Sequence, residues 1–332
     1  MQKYKMKVVP FDDFIYRKCS YNVLISVVLY FKNSIFPILS NDVIVYSHDA
    51  TLTSLIPVDC IQIKNDQELL HDLGFELNSF NEELINNKDK LLSEIKARVI
   101  SNEPVFTPVD LFSMKSKGNW NIHYGINHFT HDVMVIGYDD ILNSFIILDT
   151  NDRHCFETII NYEDLYNNYK NYLEYCIWSP RKILSLRKKQ YFEEKQKHIN
   201  YYTNIFKNNL LNNKKNICRS IVYLDDCCYN MNRLLSMDII EQKQINEIYS
   251  NQYLSTNLKY VQYYQMKNFF PQDFKLINDY KIILELFDLL KSLFIKYTLT
   301  YDKSIKQNVN NYFMQLKKLE HECNRRVFKQ IN

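Results

Sequence analysis

The chain has 332 residues, 46% of them hydrophobic, with 41 basic against 38 acidic side chains and a formal net charge of +3. Such a length and apolar content support a full core, in one large domain or two ordinary ones, and the near-balanced charge argues against a dedicated nucleic-acid binder, which carries a concentrated basic stripe. Only four glycines are present, Gly74, Gly118, Gly125 and Gly137. No phosphate-cradling loop can be built from them, which argues against nucleotide-binding enzymes of the P-loop or dinucleotide type.

The first informative stretch is YRKCSYNVLISVVLYF, residues 16–31, where Cys19 heads a run in which only Ser26 is polar from Val23 to Phe31. The run is shorter than the roughly 20 residues a membrane-spanning helix needs. It starts too far into the chain, and lacks the small-residue cleavage site, to be a signal peptide. An apolar segment of this length predicts a buried helix, with Cys19 in its first turn and Lys32-Asn33-Ser34 closing it. The eight cysteines have no regular spacing, so reduced thiols in a cytosol are expected. Cys60, Cys176, Cys218, Cys227, Cys228 and Cys323 are expected to be buried thiols in core positions.

Further along, DVIVYS (42–47) and VMVIGY (133–138) have strand length and β-branched content, and helical patterns lie near 67–73 and at 81–100. Past Pro180 the strand signals give way to helical periodicity. Leu276, Tyr280, Ile283, Phe287, Leu290, Phe294 and Tyr297 form one apolar stripe; Ile305, Val309, Tyr312, Leu316, Leu319 and Cys323 form another. Each is either core or a partner surface. The expected organisation is α+β: a domain with an antiparallel sheet over residues 1–182, then an all-α helical bundle over 183–332 that covers or shapes the active site.

A reactive cysteine needs a base and a group that orients the base. HFTHDVMVIGYDDILNSFIILDT, residues 128–150, supplies both if it folds as an antiparallel hairpin with a loop of about five residues. Pairing Gly137 with Asn143 puts His131 directly opposite Asp149, and a slip of one residue breaks the pair. A helix N-terminus and a neighbouring imidazolium both favour the thiolate of Cys19, and the Cys19 backbone N–H is placed to hold an oxyanion. His123, His128, His131, His154 and Cys155 are zinc-ligand types, but their spacing matches no common finger. No metal and no cofactor is expected.

These residues carry a resemblance. A Cys at the head of a buried helix, followed much later by HDVMVIGYDD and a strand ending in Asp, resembles the papain-like fold, within it the branch of double-glycine peptidases and the BtrH-type acyltransferases of butirosin assembly. NEPVFTPVDLFSM (102–114) and FETIINYEDLYNNY (156–169) are similar to segments of the acyltransferase type, so the resemblance covers about residues 10–175. The chain is also similar to papain-like amide synthases of polythioamide assembly. The resemblance implies Cys19 as nucleophile, His131 as general base and acid, and Asp149 as orienter. Asp110, Trp120 and Tyr124 are the nearest substrate-binding candidates. Asp13 stands where such peptidases usually carry an oxyanion-hole Gln, which leaves Asn22 or Tyr21 as side-chain donors.

The implied activity takes an acyl group from an acyl or peptidyl carrier protein, where phosphopantetheine holds it as a thioester, onto Cys19 and passes it to an amine acceptor such as a diamine. This is amide formation in specialised-metabolite biosynthesis, with no nucleic-acid or membrane partner. Two other readings stay open. A leader-trimming cysteine peptidase predicts an oxyanion Gln and a long peptide cleft. A noncatalytic scaffold predicts a missing triad member.

Overall fold

A computed structural model describes residues 2–16, 19–48, 53–114, 123–151, 154–177, 182–189, 199–237 and 239–332. The chain runs through β1 (Lys3–Lys5), α1 (Cys19–Tyr30), α2 (Phe36–Asn41), β2 (Asp42–Tyr46), β3 (Val58–Gln62), α3 (Asp66–Asp72), β4 (Phe75–Ser79), α4 (Glu82–Ile85) and α5 (Lys88–Ile100). Then come β5 (Val105–Asp110), β6 (Thr130–Asp139), β7 (Ser144–Thr150), β8 (Cys155–Asn161), α6 (Tyr162–Tyr175) and β9 (Leu184–Lys188). Helices α7 (Ile199–Asn212), α8 (Lys214–Ser220), α9 (Tyr223–Leu234), α10 (Gln242–Phe269), α11 (Phe274–Thr300) and α12 (Ile305–Ile331) follow. The architecture is α+β, with an antiparallel sheet and a C-terminal helical region. Among the described residues no helix is long and apolar enough to cross a membrane.

The chain divides into two compact units, residues 1–37 with 65–197, and residues 38–64 with 198–332. The sequence pattern places the division at 182/183. Two features move it. LSLRK at 184–188 is a strand, β9, which pairs with β4 and with β5. Its alternation is too short to register against the long helical patterns that follow. DVIVY at 42–46 forms a hairpin with β3, and this hairpin belongs to the helical unit.

In the first unit the sheet order is β4-β9-β5-β6-β7-β8, with β1 also pairing to β6. The ten-residue β6 takes β5 along its first half and β1 along its second. Gly137 sits where β1 crosses: a Cβ there would lie 2.6 Å from the Tyr4 carbonyl oxygen, so only glycine fits. Gly137 is therefore an interior strand residue and not part of the turn the sequence suggested. The turn is 140–143, where the Asp139 carboxylate accepts from the N–H groups of Ile141 and Leu142 and Asn143 adopts φ 47°, the left-handed conformation Asn tolerates. α1 packs against β6 and β7, and Val23, Ile25, Val27 and Val28 have no exposed surface. The 81–100 pattern is broken into α4 and α5, because the Asn87 side chain caps α5 by accepting from Lys90 N–H.

In the second unit the α11 stripe is core throughout. On α12, Tyr312 and Leu319 are only half-buried, and Phe313 and Glu320 take interior positions beside Val309, Leu316 and Cys323. Polar side chains of α10 hold the backbone of residues 38–64. Gln265 donates to the carbonyls of Leu39 and Asp42, Gln252 accepts from Ile56 N–H, and Ser255 accepts from Val58 N–H. Each of these bonds lowers the cost of burying the groups that make it; Gln252 Nε2 has no partner among the described residues. Of the cysteines read as core thiols, Cys176, Cys227 and Cys323 are buried, Cys60 and Cys228 are half-buried, and Cys218 is exposed. Cys218 sits on the solvent side of a short helix.

Candidate active site

His131 enters β6 at its second residue and Asp149 is the penultimate residue of β7. His131 Nε2 lies 2.6 Å from Asp149 Oδ1, and each side chain is 1% exposed. The same Oδ1 accepts from Thr150 N–H at 2.7 Å. A carboxylate can only accept, so the contact fixes the proton of a neutral imidazole on Nε2. Nδ1 is then the nitrogen with basic character.

The two residues do not face each other directly. β6 and β7 pair as Asp139 with Ser144, Tyr138 with Phe145 and Gly137 with Ile146, then shift by one at a bulge to Val135 with Ile147 and Met134 with Leu148. Continuing that register sets Asp149 opposite Val133, two residues from His131 and on the same face. The expected pairing of Gly137 with Asn143 is thus replaced. The shorter turn and the bulge together displace the register by two residues near His131, an even number, and an even shift keeps the face. Diagonal neighbours lie within reach of long side chains.

Cys19 begins α1; its side chain lies outside the described residues. Ser26 Oγ accepts from Phe11 N–H and lies 3.5 Å from Cys155 Sγ. Cys155 pairs with Thr150, the neighbour of Asp149. Burial pushes the Cys155 thiol up to about 11, and the Asp149 and Asp12 carboxylates add to the rise, so this second cysteine stays a protonated thiol at neutral pH. It is inert beside the His–Asp pair.

Asn22 does not stand as an oxyanion donor. Its Oδ1 accepts from Tyr16 N–H at 2.7 Å and its Nδ2 donates to the Tyr16 carbonyl at 3.1 Å, with the residue 2% exposed. It ties the segment before Cys19 back onto α1. Tyr21 Oη donates to Asp66. Asp13 is exposed, while its neighbour Asp12 pairs with His154 at 3.0 Å.

Asp110 does not line a substrate surface. It is fully buried, accepts from the N–H groups of Phe112 and Phe129, and holds His128 Nδ1 at 2.6 Å. His128 is stacked between Phe112 and Tyr175. Asp110 thus clips the end of β5 to the segment that leads into His131. His123 stacks on Phe129 at 4.2 Å. Burial lowers its pKa, with Asn127 and Asp110 opposing the fall and His131 adding to it. Tyr124 is 47% exposed in the same loop, and Trp120 lies outside the described residues. Among the described residues no group of three or more His, Cys, Asp or Glu side chains is arranged to hold a metal.

No protein-family model matches the chain, and no curated protein is similar enough in sequence to count as a match.

The sequence did not point to a cavity of about 520 Å³ in this unit, which lies over β5 and β9 between α1 and α3 and has Ser20 and Tyr21 in its lining. The signal is the spacing of Leu184 and Leu186 two apart, which the helical periodicity after Pro180 masks.

Proposed function

We propose that the chain is a papain-like cysteine acyltransferase that forms an amide bond. The observation that carries the reading is the buried 2.6 Å contact of His131 Nε2 with Asp149 Oδ1, in the unit whose helix α1 begins at Cys19. The contact holds the imidazole in one tautomer, as a general base requires.

In this mechanism His131 Nδ1 takes the Cys19 proton, and Asp149 stabilises the resulting imidazolium. The thiolate attacks the carbonyl of a carrier-bound thioester. The tetrahedral intermediate collapses with loss of the phosphopantetheine thiolate, which takes the proton back from His131. One thioester has replaced another, so the step is close to thermoneutral. The amine then attacks the acyl-Cys carbonyl, its proton passes through His131 to the departing Cys19 sulfur, and amide and free enzyme remain. The backbone N–H of Cys19 at the helix start is the oxyanion donor. Asn22 is committed to Tyr16 and Asp13 is a carboxylate, so a peptidase-type amide donor is lacking at both places. An activated thioester tolerates that lack better than a peptide bond does.

Intact-protein mass spectrometry tests the proposal. Wild type mixed with a simple acyl thioester gains the mass of the acyl group, Cys19→Ala does not, and an added amine discharges the adduct as amide. No adduct with any of several thioesters overturns it.

A further inference from the structure

We propose that the cavity between α1 and α3 is an acyl-chain pocket, and that the group carried on Cys19 is an apolar acyl group of medium length. The inference rests on the acyl-transfer reading and names its substrate class. The cavity encloses about 520 Å³, within the 300–1,000 Å³ typical of small-ligand sites. Its apolar walls are Leu24 from α1, Leu69 from α3, Phe106 from β5 and Leu186 from β9, and the exposed Asp66, Gln67, Ser79 and Lys182 also line it. All the wall residues belong to one compact unit. Leu24, Leu69 and Leu186 are almost wholly buried.

Two observations assign polarity along it. Ser20, one residue after Cys19, lines the cavity, is 9% exposed, and its Oγ has no hydrogen-bond partner among the described residues. A buried hydroxyl is normally bonded, and a ligand carbonyl beside Ser20 would supply the missing acceptor. The acidic group of the lining, Asp66, accepts from Tyr21 Oη and stands in the first turn of α3, where it favours the helix dipole. A protonated amine would find a counter-ion only at the exposed Asp66, and among the buried leucines it would lose its hydration uncompensated. The apolar walls therefore select the acyl partner and not the amine.

The test has two arms. In the first, Cys19→Ala is titrated calorimetrically with octanamide, which is neutral and unreactive, and with acetamide. Octanamide is expected to bind at least about 100-fold more tightly, since each buried methylene is worth roughly fourfold. Leu186→Trp, which fills the cavity, is expected to lower that affinity at least tenfold; Ser79→Trp, from an exposed position on the cavity lining, does the same without disturbing a core residue. In the second arm, wild type reacts with N-acetylcysteamine thioesters of acetate, butyrate, hexanoate and octanoate. The acylation rate is expected to climb with chain length and to flatten in the filled variants. Equal binding of both amides, or one rate for all thioesters, overturns the pocket while leaving acyl transfer standing. Octanamide binding without acylation by any thioester does the reverse. If both filled variants misfold, the two chain-length series on Cys19→Ala and wild type decide the matter.

Discussion

His131 and Asp149 meet diagonally across the β6–β7 hairpin, with the bulge between Val135 and Gly137 on the strand that leads back from the turn to the histidine. The contact depends on an extra residue in β6. On the proposed mechanism Asp149 holds the imidazole tautomer and cannot be replaced by an amide, since Asn would offer either end of its amide to Nε2. Asp149→Asn is expected to fold normally and to lower the rate of acyl-Cys19 formation by about 10²- to 10⁴-fold. Stopped reactions followed by mass spectrometry measure it. A rate within a factor of three of wild type would remove Asp149 from the chemistry.

Gly137 marks the closest approach in the sheet. Its absent Cβ would lie 2.6 Å from the Tyr4 carbonyl oxygen, 3.0 Å from Lys5 Cα and 3.1 Å from Ile146 Cδ1. Two of the three obstacles are backbone and cannot rotate away. Gly137→Ala is expected to push β1 off β6 and to destabilise the protein by about 1–3 kcal/mol, read as a lower urea midpoint. An unchanged midpoint would mean that β1 contributes nothing there.

Asp140 gives the acid side of the stability profile. The Lys96 ammonium, helped by the Tyr162 hydroxyl and the Gln2 N–H, lowers its carboxyl from 3.8 to about 2. A depressed carboxyl contributes stability that is present above pH 4 and lost as the pH falls from about 4 to about 2. The pair is partly exposed, so the contribution is about 1–2 kcal/mol after solvent screening. Asp140→Asn is expected to lose that amount at pH 7 and almost nothing at pH 2, by urea denaturation at both. A loss of equal size at the two pH values would assign the effect to packing.

The hairpin that carries His131 and Asp149 was legible because its β-branched runs and its Asp-rich turn are local signals. Its register was not, because a bulge leaves no mark in the alternation and Gly137 looks like a turn residue until β1 is laid beside it. The two offsets happened to sum to an even number, so the right residues were paired on the right face for an incomplete reason. Asp110 and Asn22 looked like site residues because both are polar and near the elements that matter; their backbone partners, Phe112, Phe129 and Tyr16, are tertiary facts. The hairpin of residues 42–62 reads as part of the first unit because it comes early in the chain, and what draws it to the helices is Gln252, Ser255 and Gln265, polar residues inside a helix whose pattern is not amphipathic.

Lys259 and Glu320 form a buried pair in the helical unit. Lys259 Nζ donates to Glu320 Oε1 at 2.7 Å and to Gln262 Oε1 at 2.8 Å, and Tyr46 Oη donates to the same glutamate oxygen at 2.5 Å. Burial pushes the ammonium down and Glu320 pulls it back up. Removing one partner strands the other charge. Glu320→Leu alone is expected to cost about 3–5 kcal/mol, and Lys259→Met with Glu320→Leu to recover most of it. Urea denaturation of the two singles and the double closes the cycle; additive losses would show that the groups are not coupled.

The interleaving of the two units makes a definite prediction about fragments. A protein ending at residue 182 lacks β9, through which β4 joins the rest of the sheet, and it keeps residues 38–64 without the helices that bury Val43, Ile44 and Ile56. It is expected to be poorly soluble and to unfold without a cooperative transition. Residues 1–197 with 42–63 replaced by a short Gly/Ser linker should behave differently. Asn41 and Lys64 are hydrogen-bonded to each other, so a few residues span the gap, and the entropy of closing it is small. That fragment is expected to be soluble and to give one sigmoidal urea transition by circular dichroism. If the 1–182 fragment unfolds as cooperatively as the linked one, β9 is not part of the first unit's stability and the division belongs at residue 182.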